Sequence, residues 1–291
     1  MSARGFVLAA AAAALLATAP AWPFGLGDLD LNKAVGELKN LKTAVAGPDE
    51  QEEREIGRVA AATLLGAARP LSDRGLEAYV NKVGLWVALQ SERPSLPWRF
   101  VVLDDTSNNA VAAPGGYVLV TRGLLGKLHS EAELAGVLGH EIAHVVLKHH
   151  LHALRRDAGT QLLSDLTSDA VAQRAGRANI PPQVLDAVSG QVKTLYSRGL
   201  DKSDEYAADQ LGAVLAGRAG YDPYGLMAAL ETLDSMDANS SALALLYKTH
   251  PRPADRLAQL GSLGVRLDAF GSQPDVSERF SSSVAVLKAR H

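Results

Sequence analysis

Not one of the 291 residues is cysteine. That absence excludes a disulfide framework, an iron–sulfur cluster and any thiolate-held zinc, so a metal in this chain must be held by His, Asp or Glu. Aromatic residues are scarce at 5%, which beside abundant alanine points to closely packed helices. Neither sign of charge dominates. A formal net charge of −3 gives no reason to expect nucleic acid as a partner. Long apolar runs are missing after the first twenty residues, and the run that opens the chain, Phe6 to Thr18, falls short of the roughly 20 residues a membrane span needs.

That run follows Arg4 and precedes Ala19-Pro20-Ala21, which together read as an export signal over residues 1–21 with a cleavage site before Trp22, an uncleaved anchor being the bland alternative. With no cysteine at the cleavage site, a lipid anchor is not expected. A soluble protein in an exported compartment is, which in a bacterium is the periplasm. Residues 22–48 read as a linker or pro-segment, 49–265 as the main domain and 266–291 as a peripheral, Ser-rich tail. Within the main domain, DEQEEREIGRVAAATLLGA (49–67) and 72–90 have helical periodicity. WRFVVLDD (98–105) and GYVLVTRGLL (116–125) are strand-like runs separated by a polar loop and Pro114-Gly115-Gly116. The expected class is α+β, a small antiparallel sheet on a mostly helical body.

The stretch GHEIAHVVLKHHLH (139–152) holds five histidines and a glutamate. Ser130-Glu131-Ala132-Glu133 is a capping box that predicts a helix from residue 131. Along it Leu134, Leu138, Ile142, Val145, Val146 and Leu147 spread almost all the way round, the mark of a buried helix. His140 and His144 leave one face a turn apart, which suits two ligands of one tetrahedral metal. Glu141 points about a quarter-turn away and could reach a metal-held water as general base, the logic of the His-Glu-x-x-His zinc hydrolases. The bland alternative is a hydrogen-bonded pair of core histidines, costly unless something satisfies them. His149, His150 and His152 lie in the cationic stretch KHHLHALRR and are expected to complement the helix dipole from a solvated face.

Three ligands and an open position make a catalytic zinc site. The metzincin pattern fails here, because position 147 is Leu where that pattern has Gly. A glutamate on a second helix is the other solution. LDKSDEYAADQLGAVLAGRAGYDP (200–223) offers Glu205 and Asp209 four apart on one face, with Leu211, Val214 and Leu215 to bury. Glu205 is the candidate third ligand, and Asp209 the acceptor that fixes a ligand histidine's tautomer. Alone, such a pattern is an ordinary acidic surface helix; the histidine pair is what calls for it.

Taken in order with NAVAAPGGYVLVTRGLL (109–125) and THPRPADRL (249–257), these motifs resemble the HtpX and CAAX-prenyl-protease family of gluzincin metallopeptidases, in particular its soluble periplasmic BepA- and LoiP-like branch. The resemblance runs from about Gln51 to Leu260. It implies a zincin-like domain with the small sheet beside the HExxH helix, one Zn²⁺ per chain, and hydrolysis of peptide bonds. It implies that Asn109 and Ala110 form a substrate-pairing strand edge. It implies that His250 meets the oxyanion or, at rest, covers the zinc as a fourth ligand, and that Arg256 helps organise the site. Unfolded or misfolded polypeptides, and a link to outer-membrane assembly machinery, are the implied partners. Integral members have several membrane spans, which this chain lacks after its first residues, and some periplasmic relatives have a lipobox cysteine, which is missing too. The polar, Gly/Pro-punctuated segment 157–197 is expected to gate entry. The rival expectation is a periplasmic chaperone-like binding protein with a latent or structural zinc.

Overall fold

The computed structural model describes residues 50–157, 182–236, 241–262 and 267–288. The stretch 1–21 read as an export signal, the segment 22–48 and much of the expected gating segment lie outside the described residues. Helix α1 spans Glu50–Ala67 and α2 spans Arg74–Ala88. Asp73 starts α2 by accepting the Leu76 N–H at 3.0 Å. Leu76, Val80, Val83 and Val87 then recur on one face and are buried.

Three short strands follow: β1 (Arg99–Leu103), β2 (Ala110–Ala113) and β3 (Tyr117–Thr121), in the order β1-β3-β2. Strands β2 and β3 are antiparallel, whereas β1 and β3 are parallel. The sheet is therefore mixed, which corrects the antiparallel arrangement expected from the sequence. The polar loop between the two strong runs contains β2, an alanine-rich strand with little propensity of its own. It folds back on β3 through Pro114-Gly115-Gly116, where φ values of 78° and 99° at the two glycines demand residues without a Cβ. That reversal sends β3 in the direction of β1.

A one-turn helix, α3 (Arg122–Leu125), leads into α4 (Glu131–Val146). Ser130 caps α4 by accepting the Glu133 N–H at 3.0 Å, and the Glu133 carboxylate accepts the His129 N–H at 2.9 Å. Every residue from Glu131 to Val145 is buried, as a helix apolar all round requires. Residues 149–157 are also helical, and helices α5 (Pro182–Arg198), α6 (Lys202–Arg218), α7 (Gly225–Asp234), α8 (Ser241–Thr249), α9 (Pro253–Gly261) and α10 (Ser277–Lys288) follow. No helix among the described residues is long and apolar enough to cross a membrane.

The tail is not peripheral. Phe280, Val284 and Leu287 form an i, i+4, i+7 stripe buried in the main core, while Ser281 and Ser282 face outward. Arg279 and the Tyr79 and Tyr221 hydroxyls donate to the buried Glu131 carboxylate at the start of α4. Part of the segment expected to gate entry is likewise packed. Val188, Val192 and Leu195 of α5 are buried against Ile56 and Val59 of α1 and Leu151 and Leu154 in a second core.

Helix α4 packs most extensively on α6. Leu215 of α6 is fully buried, and Leu211 and Val214 are partly so, but the stripe against α4 is Glu205, Ala208, Asp209 and Gly212. A Cβ on Gly139 would lie 2.6 Å from the Gly212 carbonyl oxygen, and a Cβ on Gly212 would lie 2.6 Å from the His140 nitrogen. Backbone meets backbone there. Gly212→Ala should therefore cost about 1–3 kcal/mol through overpacking, against a helix-propensity gain of about 1 kcal/mol. Gly190→Ala, where a Cβ meets nothing within 4 Å, should keep that gain. Urea unfolding of the two variants checks the contrast.

Candidate metal centre

Helix α4 places His140 and His144 a turn apart, and α6 brings Glu205 across from them. Their ligand atoms, with one from His250 just after α8, lie within 4.8 Å of one another. His140 Nε2 and His144 Nε2 are 3.0 Å apart. Glu205 Oε2 is 3.7 Å from the first and Glu205 Oε1 is 3.4 Å from the second. Tetrahedral metal–ligand bonds of about 2.0–2.1 Å put neighbouring donor atoms roughly 3.3 Å apart. The cluster fits that spacing.

The far nitrogen of each imidazole decides what the near one can do. His140 Nδ1 is 2.8 Å from Asp209 Oδ1, and His144 Nδ1 is 3.0 Å from His149 Nδ1. When both Nδ1 atoms donate, both Nε2 atoms present lone pairs, and two lone pairs facing at 3.0 Å repel unless a cation lies between them. Glu205 Oε1 is also buried without a hydrogen-bond partner. Two converging imidazoles and an orphaned carboxylate oxygen are the donor set of a divalent metal.

Charges around the cluster are paired. Arg256 of α9 donates from Nε to both Asp209 oxygens at 3.2 and 3.0 Å, and both side chains are buried. Burial alone would raise the Asp209 pKa, but Arg256 and His140 prevail and hold it well below the usual carboxylate range. His250 Nδ1 is 2.6 Å from Glu205 Oε2. Burial opposes charge on both, yet their attraction lowers Glu205 to about 2 and raises His250. His144 is kept well below its ordinary value by burial and then by His140.

Glu141 is 2% exposed, and its Oε2 has no hydrogen-bond partner. Burial, the largest influence, raises its pKa, the direction that suits a proton acceptor working near neutrality. It lines a cavity of about 150 Å³ shared with His250, Asn109, Ala110, Val111 and Leu200. Asn109 Oδ1 is buried there without a partner. The Thr121 N–H donates to the Asn109 carbonyl, so Asn109 and Val111 address β3 while the backbone groups of Ala110 and Ala112 face the outer edge of β2. At that edge the Tyr196 hydroxyl of α5 donates to the Ala112 carbonyl at 2.7 Å.

The structure thus gathers His140, Glu141, His144, Glu205, Asp209, His250, Arg256, Asn109 and Ala110 around one place. It also corrects one expectation. His150 is buried and stacks on Tyr196, with ring centroids 4.8 Å apart; burial lowers its pKa to about 3. The His149 side chain is 10% exposed, and His152 alone of the three is exposed. The cause is local. Helix α4 ends at Leu147, and Lys148 takes a left-handed conformation with φ 60°, which turns 149–150 back towards His144. No glycine or asparagine announces that stop. Tyr196 was equally unmarked, lying far from the motif in the chain.

Residues 75–263 match the sequence profile of peptidase family M48. Over 210 residues the chain is 28% identical to the beta-barrel assembly-enhancing protease of Escherichia coli K12, covering 71% of this chain and 42% of that protein. It is 25% identical over 234 residues to the mitochondrial metalloendopeptidase OMA1 of Arabidopsis thaliana, covering 80% and 44%. It is 30% identical over 171 residues to the metalloprotease YcaL of Escherichia coli K12, covering 58% and 63%. The chain spans less than half the length of the first two.

Arg256→Ala leaves Asp209 charged and buried with no cation to pair with, and should destabilise the metal-free protein by about 3–5 kcal/mol. A depressed carboxylate contributes stability that is full above its unfolded pKa near 4 and is lost as pH falls towards its folded value. Removing Arg256 takes away most of that depression, so the variant's stability deficit should be largest near pH 7 and narrow as pH falls below about 4. Urea titrations at pH 7 and a pH-unfolding curve measure both effects.

Proposed function

The chain belongs to peptidase family M48, and from that membership we propose that it is a zinc-dependent endopeptidase acting on unfolded or misfolded polypeptides in the periplasm, in the quality control of outer-membrane proteins. The observation that carries this reading is the convergence of His140, His144 and Glu205 beside a buried, unpartnered Glu141. In it, His140, His144 and Glu205 hold one Zn²⁺, which when bound lowers the pKa of its water and polarises the scissile carbonyl. Glu141 takes the proton from the attacking water at its free Oε2 and passes it to the leaving amine. His250, whose Nδ1 lies 2.6 Å from Glu205 Oε2, stabilises the oxyanion. Asp209 and Arg256 hold His140 in the tautomer that presents Nε2. The substrate polypeptide lies along the outer edge of β2, meeting Ala110 and the Asn109 side chain. Periplasmic location and outer-membrane clients rest on the names of relatives such as the beta-barrel assembly-enhancing protease and on the export signal read from the sequence.

One observation favours a second reading. His250 is itself a member of the ligand cluster, so it can close the site as a fourth ligand and leave a latent centre in a chaperone-like binding protein. Unfolded casein separates the two readings. Wild type should cleave it, a chelator should stop cleavage and zinc should restore it. Glu141→Gln should keep zinc while losing about 10²–10⁴ in kcat. Binding of casein without cleavage by the zinc-loaded wild type would favour the latent reading, and cleavage by Glu141→Gln at the wild-type rate would remove the general base.

A peptide that pairs along β2 must displace the Tyr196 hydroxyl from the Ala112 carbonyl. Tyr196→Phe removes a hydrogen bond worth about 1 kcal/mol from the unliganded state only. The expected result is a KM lower by about fivefold with kcat unchanged, read from steady-state cleavage of a peptide series.

A further inference from the structure

The two imidazoles of the cluster are held differently. His140 has a carboxylate on its far nitrogen, Asp209 Oδ1 at 2.8 Å. His144 has none; what meets its Nδ1 is another imidazole nitrogen, His149 Nδ1 at 3.0 Å. The two rings are steeply inclined, 74° between planes with centroids 5.1 Å apart, so the contact is nitrogen to nitrogen and not a stack. Two imidazole nitrogens at that distance form a hydrogen bond only if one carries the proton and the other does not.

We propose that His149 is the positioning residue for His144, accepting its Nδ1–H and so fixing the tautomer that turns the His144 Nε2 lone pair towards the metal. This rests on the metal reading above and deepens it. Every proton along the row is then assigned. A metal ion placed between His144 Nε2, His140 Nε2, 3.0 Å away, and Glu205 requires that His144 Nε2 be bare. Its proton sits on Nδ1 and is donated to His149 Nδ1. His149 must then be protonated at Nε2, which lies 3.9 Å from the Asp204 carboxylate, within electrostatic reach but too far for a direct hydrogen bond. The order metal position, His144, His149, Asp204 ends on an anion, as the order metal position, His140, Asp209 does. Asp204 directly precedes the candidate ligand Glu205 in α6, so one turn of that helix supplies both a ligand and the end of the row that orients another. The left-handed Lys148 is what makes this possible. Had α4 continued, residue 149 would lie on a different face from 144, and the ring could not turn back.

The test crosses two variants of the full chain. His149→Phe keeps an aromatic ring and removes the acceptor; His149→Gln loses the ring and keeps an acceptor oxygen. Zinc affinity is read by competition with a chromogenic chelator, the visible spectrum of the cobalt(II)-loaded protein reports ligand geometry, and thermal unfolding of the metal-free chain reports packing. An acceptor role predicts that His149→Phe weakens zinc binding by about ten- to a hundredfold and alters the cobalt bands. It predicts that His149→Gln stays within about threefold with bands like wild type. A packing role predicts the reverse order, and that order, or equal losses in both, overturns the proposal. A His149→Phe chain that does not fold leaves His149→Gln to decide, since a tenfold loss there also overturns it. A wild-type chain that binds no zinc sinks the metal reading itself, and is thereby told apart from a wild type that binds zinc while His149→Phe binds it equally well.

Discussion

At Gly139 and Gly212 two helices meet with nothing but backbone between them, and the separation that results is the one the metal cluster needs. His140 directly follows one of these glycines. Glu205 lies two helical turns before the other, and 3.6 residues per turn return it to the same stripe. A side chain at the crossing would drive the axes apart by something on the order of 1 Å, whereas metal–ligand distances tolerate only about 0.2 Å. The sheet, α7 and α10 pack around this pair, and the Glu131 cluster fixes where α4 begins. The chemistry of the site is set by how closely two backbones approach.

That closeness has an electrostatic consequence. Burial removes water from three imidazoles and two carboxylates at once, and each uncompensated charge or lone pair costs several kcal/mol. Most are answered in place: Asp209 by Arg256, the far nitrogens of His140 and His144 by Asp209 and His149. The near nitrogens are not, and Glu205 is answered only in part: His250 Nδ1 lies 2.6 Å from its Oε2, while its Oε1 is left without a hydrogen-bond partner. Under the proposed zinc reading, a metal ion and His250 would make rival claims on that carboxylate, and the position of His250 would be coupled to metal binding through Glu205.

Much of this was legible in the sequence because the relevant signals are periodic. His140 and His144 at i, i+4 on an all-apolar helix, and Glu205 and Asp209 at i, i+4 on another, each announce a shared face, and the need for a third ligand links them. The illegible parts have a common physical character. Strand β2 is four residues of which three are alanine, too weak a propensity to stand out from a loop, and without it the parallel pairing of β1 and β3 cannot be deduced. The inward turn of His149 and His150 depends on a lysine in a left-handed conformation that its identity does not demand. The tail read as peripheral because three serines in a row mask the stripe of Phe280, Val284 and Leu287. Tyr196 reaches its carbonyl across more than eighty residues of chain, a contact that no local pattern encodes.

The alanines that hid β2 also explain where it lies. Ala110 and Ala112 share one face of the strand and are buried in the core that α4 occupies, while Ala113 belongs to the second core with Ile56 of α1. A valine or leucine at 110 or 112 would lift the strand away from α4 and carry its outer edge away from Glu141. Small side chains keep the sheet edge close to the helix that carries His140 and His144. The strand's weak propensity is offset by its partners: β3 supplies the ladder on one side, and α1 presses the turn, with Glu53 accepting the Gly115 N–H. The outer edge is left with two outward residues. One of them, Ala112, already has a partner in Tyr196. Ala110, which lines the same cavity as Glu141, is where a peptide on the proposed path would begin to pair without displacing the Tyr196 hydroxyl.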